Sequence, residues 1–219
     1  MSHFTTYVFT RKNGERNVDD MLAPYDENIE YKPYIEYTKQ QAIEHVRTEI
    51  EDYKHSDIYQ KFIADPEKYK EEHGSNTDHI NYLENEFPIR LKWTDEECYE
   101  HIKSFYEEDM VDEEGNLYSM YNPNSKWDWY TIGGRWDGVL ICKNGEGTNE
   151  DYVSEIDWDK TSTPFAFIDL RGEWHENGTM GWWACVTNEK DRNVWEDEFK
   201  NYIKNLEDDV IVTVVDCHI

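Results

Sequence analysis

Three sets of side chains have the types and spacing to do chemistry. The first is the run Asn122-Pro123-Asn124-Ser125-Lys126-Trp127-Asp128-Trp129-Tyr130, followed closely by Gly133-Gly134-Arg135-Trp136. Side chains alternate along an extended segment, so Trp127 and Trp129 are expected on one face and Asp128 and Tyr130 on the other. One face is then a rigid aromatic platform. Lys126 and Arg135 would hold phosphate beside it, the glycines would let backbone N–H groups approach a ligand, and stacking on such rings contributes about 1–3 kcal/mol per base. Trp182 and Trp183 point to opposite faces of a predicted hairpin, which lets Trp182 reach the platform. The competing expectation is a core built of tryptophan, with Asp128 and Arg135 paired internally.

The second set joins the two ends of the chain. His3 and Thr5 share one face of a first strand, and Asp216 and His218 share one face of a last strand. If those strands pair, His3, Asp216 and His218 converge at a sheet edge, where two imidazoles and a carboxylate can bind a divalent metal or exchange a proton. A metal-dependent hydrolase is the enzymatic form of this expectation. His3-Phe4-Thr5 also has the His-x-Thr form of one class of phosphoesterases, but the second copy that chemistry needs is absent. A hydrogen-bonded cluster that merely orders both termini is the plainer alternative.

The third set is acidic: Asp95-Glu96-Glu97, Glu107-Glu108-Asp109 and Asp112-Glu113-Glu114. It belongs to a chain of 219 residues with 22 Lys and Arg against 49 Asp and Glu, a formal charge of −27. Such runs are usually solvated helix faces, yet a magnitude of roughly 2–8 suffices for solubility of a small domain. A field this strong disfavours direct binding to nucleic acid or to an anionic membrane, both of which are polyanions. Spaced carboxylates can instead imitate phosphates and steer association with a protein whose own surface is basic.

These side chains must be positioned by a core, and 37% hydrophobic residues, with 9 Trp, 16 Tyr and 8 Phe, are enough to build one. His3 to Thr10 is predicted as a strand. Thr38 to Gln41 and Thr94 to Glu97 are capping boxes; the first opens a helix to about Tyr53, and the second one whose stripe is Cys98, Ile102, Phe105 and Tyr106. A weaker helical stretch, Asp57 to Glu72, is interrupted at Asp65-Pro66. Trp127 to Cys142 has strand character, with a bulge or close approach expected at Gly133-Gly134. Pro164 to Leu170 and Met180 to Thr187 are expected as neighbouring antiparallel strands, before a helix capped by Asn188 that runs through Trp195 and Phe199 to Leu206. Val210 to Ile219 is almost continuously apolar and β-branched, as befits a strand buried on both faces in the middle of a sheet. The expected fold class is α+β, a mainly antiparallel sheet with helices packed on it and the C-terminal strand central, in one domain with a helical acidic insertion at about 38–110.

The four cysteines, Cys98, Cys142, Cys185 and Cys217, lie far apart in mostly apolar contexts, so they are expected reduced and buried in a cytosolic protein. No apolar run approaches the roughly 18 residues needed to span a bilayer, and no signal peptide is evident. Gly-rich phosphate loops, nucleophile elbows and Cys-x-x-Cys pairs are absent, and no cofactor is called for.

The opening MSHFT, the LAPYDEN segment (22–28), NPNSKWDWYTIGGRW (122–136), EWHENG with MGWW (173–183) and the closing TVVDCHI together resemble a family of uncharacterised proteins carried by many bacteriophages and prophages. The stretch from His55 to Arg90 has no counterpart in that pattern. The resemblance implies a protein made in the cytoplasm of a bacterial host and brings no activity with it. Combined with the charge, it leads to the expectation of a non-enzymatic acidic protein that inhibits a basic, nucleic-acid-binding host defence protein. The alternative is a module that binds a small nucleotide on the tryptophan platform.

Overall fold

The computed structural model describes residues 2–181 and 185–219. Trp182 and Trp183 lie outside them. In chain order, β1 (His3–Arg11) leads to the short helix α1 (Val18–Leu22), and β2 (Tyr34–Tyr37) precedes α2 (Lys39–His55) and α3 (Asp57–Ala64). Next come α4 (Pro66–His73), α5 (Thr77–Asn81), a π-helical turn over Tyr82–Glu86, α6 (Phe87–Arg90) and α7 (Asp95–Lys103). There follow β3 (Leu117–Ser119), β4 (Trp129–Ile132), β5 (Leu140–Ile141), β6 (Gly147–Thr148), β7 (Glu150–Tyr152), β8 (Ala166–Ile168) and β9 (Trp174–Glu176). The chain finishes with β10 (Thr179–Met180), β11 (Val186–Thr187), α8 (Arg192–Ile203) and β12 (Val210–His218).

The contacts divide the chain into two compact units, one made of residues 1–30 and 121–219 and the other of residues 31–120. The first unit holds the main sheet, in the order β4-β12-β1-β8-β9, with β7 also paired to β12. Its pairs are antiparallel except for β1 with β8, so the fold is α+β with the C-terminal strand in the interior. β12 earns that place by composition: Val210, Val212, Val214 and Val215 are all fully buried, and each valine removed from water contributes about 1.5–3 kcal/mol. One face of β1 and β12 carries Tyr7, Phe9, Val212 and Val214, which pack with Trp195 and Phe199 of α8. The opposite face carries Phe4, Val8, Val215 and Cys217 against Met21 and Leu22 of α1.

The second unit closes on its own core. Thr38 caps α2 and Thr94 caps α7 with the full reciprocal box in each case, and Ala42, Ile43 and Val46 of α2 pack with Cys98 and Ile102 of α7. Asp65 ends α3 and caps α4, with Pro66 at the first helical position where its missing N–H costs nothing.

Several local expectations are corrected. Phe105 does not join the α7 stripe: the helix ends at Lys103 and the ring is 74% exposed. The 164–170 segment pairs with β9 through the Arg171-Gly172 turn, whereas β10 and β11 pair with each other as a separate two-stranded sheet, because the turn falls between β8 and β9. Asp191, not Asn188, caps α8; Asn188 instead takes a positive φ of 54°. Cys185 is exposed while the other three cysteines are buried, and all four are free thiols.

Candidate functional site

The register of β1 and β12 builds the site. His3 faces His218 and Thr5 faces Asp216 across that pair, while β4 sets Trp129 opposite His218 and Thr131 opposite Asp216. Opposed residues project to the same side of a sheet. The face that is apolar from Tyr7 and Val214 onward is therefore polar at this end, and it lies at the end of two interior strands rather than at a sheet edge.

Two histidine–carboxylate pairs stand here side by side. His3 Nδ1 lies 2.8 Å from Asp216 Oδ1, and His218 Nδ1 lies 2.6 Å from Asp128 Oδ1. A carboxylate only accepts, so each Nδ1 carries the shared proton and Nε2 is left as the free, basic end. The rings are 5.0 Å apart. His218 is 5% exposed, and its Nε2 is buried without a hydrogen-bond partner among the described residues. Trp129 covers that ring, stacked on it at 4.9 Å with an interplanar angle of 18°, and meets His3 edge-on at 5.3 Å. The tryptophan itself is 44% exposed. Burial and the carboxylates of Asp128 and Asp26 push Glu27 above the usual carboxylate range, so the surroundings of this pair are acid-rich.

Gly133 and Gly134 end β4 and start a tight turn over Gly134–Trp136, where a bulge inside one long strand was expected. The turn brings the Arg135 N–H to 2.9 Å from Asp216 Oδ2. A Cβ on Gly134 would stand 2.4 Å from that same oxygen, and its φ of 57° also suits glycine. The close backbone approach is thus to a carboxylate of the protein rather than to a ligand. The Arg135 side chain is exposed and makes no ion pair, ring contact or hydrogen bond among the described residues. The other arginines each have a partner: acids for Arg11, Arg47, Arg171 and Arg192, backbone carbonyls for Arg16 and aromatic rings for Arg90.

The two-ring platform does not form. Trp127 is 6% exposed and donates from Nε1 to the Leu22 carbonyl, because the strand begins only at Trp129 and alternation does not extend back to residue 127. Tyr130 packs edge-on against Trp127 and donates to Asp19, and burial with that hydrogen bond raises its phenol well above the ordinary value. Asp128 is taken by His218 rather than by Arg135. Lys126 is held by Glu176 at 2.8 Å, and Trp136 is partly buried against the core that includes Phe199. Trp182 falls outside the described residues. The role of Asp128 as second carboxylate was missed; its place one residue before Trp129, the partner of His218, was the available signal.

His3, Asp216 and His218 come together, but both Nδ1 atoms are engaged by carboxylates. Among the described residues, the group whose donor atoms lie within 4.8 Å of one another is Asp169, Glu173 and His175. There the Arg171 guanidinium, 3.0 Å from Asp169 and 2.6 Å from Glu173, already supplies the positive charge.

Of the nine acids singled out, Asp95 pairs with Arg47, Glu96 with Lys39, and Glu97 closes the α7 capping box. Asp112 organises its own loop by accepting from the Glu114 and Asn116 N–H groups. Glu107, Glu108, Asp109, Glu113 and Glu114 are exposed and form no ion pair among the described residues. The second unit has 10 Lys and Arg against 23 Asp and Glu and the first has 12 against 26, so the charge is shared, −13 and −14. Among the described residues, no helix is long and apolar enough to cross a membrane. The chain matches no protein-family model, no curated protein and no solved structure.

Proposed function

We propose that the polar end of β1, β12 and β4 binds a small nucleotide: the base stacks on the open face of Trp129 and the phosphate meets Arg135. The observation that carries this reading is an exposed tryptophan held rigid from below, by a histidine that is itself tethered to Asp128. A pre-ordered ring loses little entropy on binding, and stacking on it contributes about 1–3 kcal/mol per base. Because Trp129 covers His218 Nε2, the site in this conformation binds; proton transfer to a bound phosphoester would require that ring to turn aside.

Calorimetric titration with nucleoside monophosphates and short oligonucleotides tests the reading. Trp129→Ala is expected to weaken binding about 5- to 150-fold, the range given by one lost stack. Silence of the unsubstituted protein towards the whole panel at millimolar concentration refutes it.

A second reading is favoured by the unpaired carboxylates at residues 107–114: a phage-encoded protein that binds and blocks a basic, nucleic-acid-binding host protein. Side chains without cations of their own are free to meet those of a partner. Neutralising Glu107, Glu108, Asp109, Glu113 and Glu114 together is expected to abolish capture of such a protein from host lysate at low salt. Unchanged capture sinks it.

A further inference from the structure

The first unit carries an open cleft of about 490 Å³ between Tyr25, the loop at Pro123 and Lys126, and β9. This volume lies within the range of small-molecule pockets, and the cleft shares no residue with the histidine pairs. Each of its walls keeps solvent-accessible surface. Two of the walls are rings, Tyr25 and Trp174, whose centroids lie 5.0 Å apart at an interplanar angle of 50°, so they open as a wedge. Phe4, itself in the core, meets Trp174 edge-on at 6.2 Å and holds it in place. Both rings have their polar ends occupied. The Tyr25 hydroxyl donates to the Gly172 carbonyl at 2.6 Å, and Trp174 Nε1 donates to Glu176 Oε2 at 2.8 Å. What remains for a ligand is π-surface, and donation to a carboxylate leaves the indole richer in electrons. Cations are attracted to such faces.

The charges around the cleft narrow the ligand further. Lys126 sits on Glu176, and Arg171 lies between Glu173 and Asp169, so two cations stand against three carboxylates. Burial, with the carboxylates of Asp169 and Glu173, raises the Tyr25 phenol above its ordinary value, so the field at that ring is negative despite the two cations. Each Glu176 oxygen already accepts a protein donor, Lys126 Nζ at 2.8 Å on Oε1 and Trp174 Nε1 on Oε2, and Glu173 is taken by Arg171 at 2.6 Å. A primary ammonium is strongly hydrated and brings three N–H donors to be satisfied, whereas a fully methylated one brings none. We propose that this cleft is a second binding site, for a quaternary ammonium group, with its methyl groups in the wedge between Tyr25 and Trp174 and its charge towards Glu173 and Glu176. The proposal is independent of the nucleotide reading, since it uses none of the same residues.

Calorimetry on the full chain with choline tests it, with 3,3-dimethylbutan-1-ol as the uncharged isostere and ethanolamine as the primary ammonium. A dissociation constant on the order of 1 mM is expected for choline, with both comparators weaker by about tenfold or more. Tyr25→Leu removes one ring and is expected to weaken choline about two- to thirtyfold, while Tyr25→Phe, which keeps the ring, retains binding. Glu176→Gln keeps an acceptor for Trp174 but removes the charge, and is expected to weaken choline about fivefold. Trp129→Ala is expected to leave choline binding intact. Thermal unfolding checks that each variant is folded. No heat from choline at about 20 mM, far above that constant, an isostere that binds as tightly as choline, binding unchanged in both Tyr25→Leu and Glu176→Gln, or binding lost with Trp129 overturns the proposal.

Discussion

Replacing Gly134 by alanine perturbs the histidine pair without touching either histidine. The new Cβ would stand 2.4 Å from Asp216 Oδ2, 2.5 Å from Asp216 Cβ and 2.8 Å from Thr131 Cγ2, so the Asp216 side chain must move. That carboxylate accepts from His3 Nδ1 at 2.8 Å and from the Arg135 N–H at 2.9 Å. Hydrogen bonds to a charged acceptor contribute about 1.5–3 kcal/mol each, and losing one of the two is the minimum consequence. The φ of 57° adds about 1–2 kcal/mol for any residue with a Cβ. The expected loss is about 3–5 kcal/mol, or roughly 10 °C in Tm for a chain of this size. Gly145→Ala is the matched control: its φ is 88° but nothing lies within 4 Å of the new methyl, so only the backbone contribution of about 1–2 kcal/mol should appear. Urea unfolding of both variants separates the two effects. If Gly134→Ala loses no more stability than Gly145→Ala, the carboxylate is not wedged between the turn and His3, and the account of the site's rigidity is wrong.

Thiol titration of the native protein at pH 8 should show one fast cysteine, Cys185, with Cys98, Cys142 and Cys217 reacting only on unfolding, since they are buried and burial raises each of their thiols; a second fast thiol would contradict the packing. On the alkaline side, burial pushes Tyr7 and Cys217 up to about 12, so the stability they contribute is fully present below the unfolded values of about 10 and 8.5 and is lost as pH rises towards 12. Chemical unfolding at pH 8 and 11 should therefore show a fall that Tyr7→Phe reduces, and an unchanged slope in that variant would argue against the burial. On the acid side, burial pushes Asp169 up, but the Glu173 N–H together with the Arg171 side chain and N–H outweighs it and holds the carboxyl below its ordinary value. The sign is that of a depressed acid: stabilisation present above about pH 4 and lost as pH falls through the lower folded value, so Asp169→Asn should flatten the stability curve below pH 4.

The frame of the fold was readable wherever one local signal dominated. Two capping boxes and an unbroken β-branched run place α2, α7 and β12 because cap chemistry and burial on both faces act within a few residues of the chain. Convergence of His3, Asp216 and His218 could be foreseen from the period of two along both strands, once the strands were taken to pair. What failed depended on where a strand starts. The platform of Trp127 with Trp129 assumed alternation from residue 127, but backbone pairing with β12 begins at Trp129, and Trp127 bridges to Asp26 instead. Glycines signalled a close approach, yet composition cannot say whether the approaching group is a ligand or, as here, Asp216.

Ionic strength divides the two functional readings by sign. A phosphate anion approaching the first unit meets a net charge of −14. With those charges taken at about 20 Å in water, each contributes roughly 0.2 kcal/mol, so the unscreened repulsion is about 3 kcal/mol. The contact with Arg135, at about 4 Å, returns about 1 kcal/mol. Raising salt from about 10 to 150 mM shortens the Debye length from roughly 30 to 8 Å, which removes nearly all of the long-range repulsion while leaving much of the contact. Nucleotide affinity should therefore rise with salt over that range, against the usual trend for phosphate binding. Capture of a basic protein partner by the carboxylates at 107–114 must run the other way, because there the same field attracts and screening weakens it. A nucleotide constant that falls steadily with added salt would mean that the phosphate is held by cations other than Arg135, and the placement of the ligand at this end of the sheet would have to be given up.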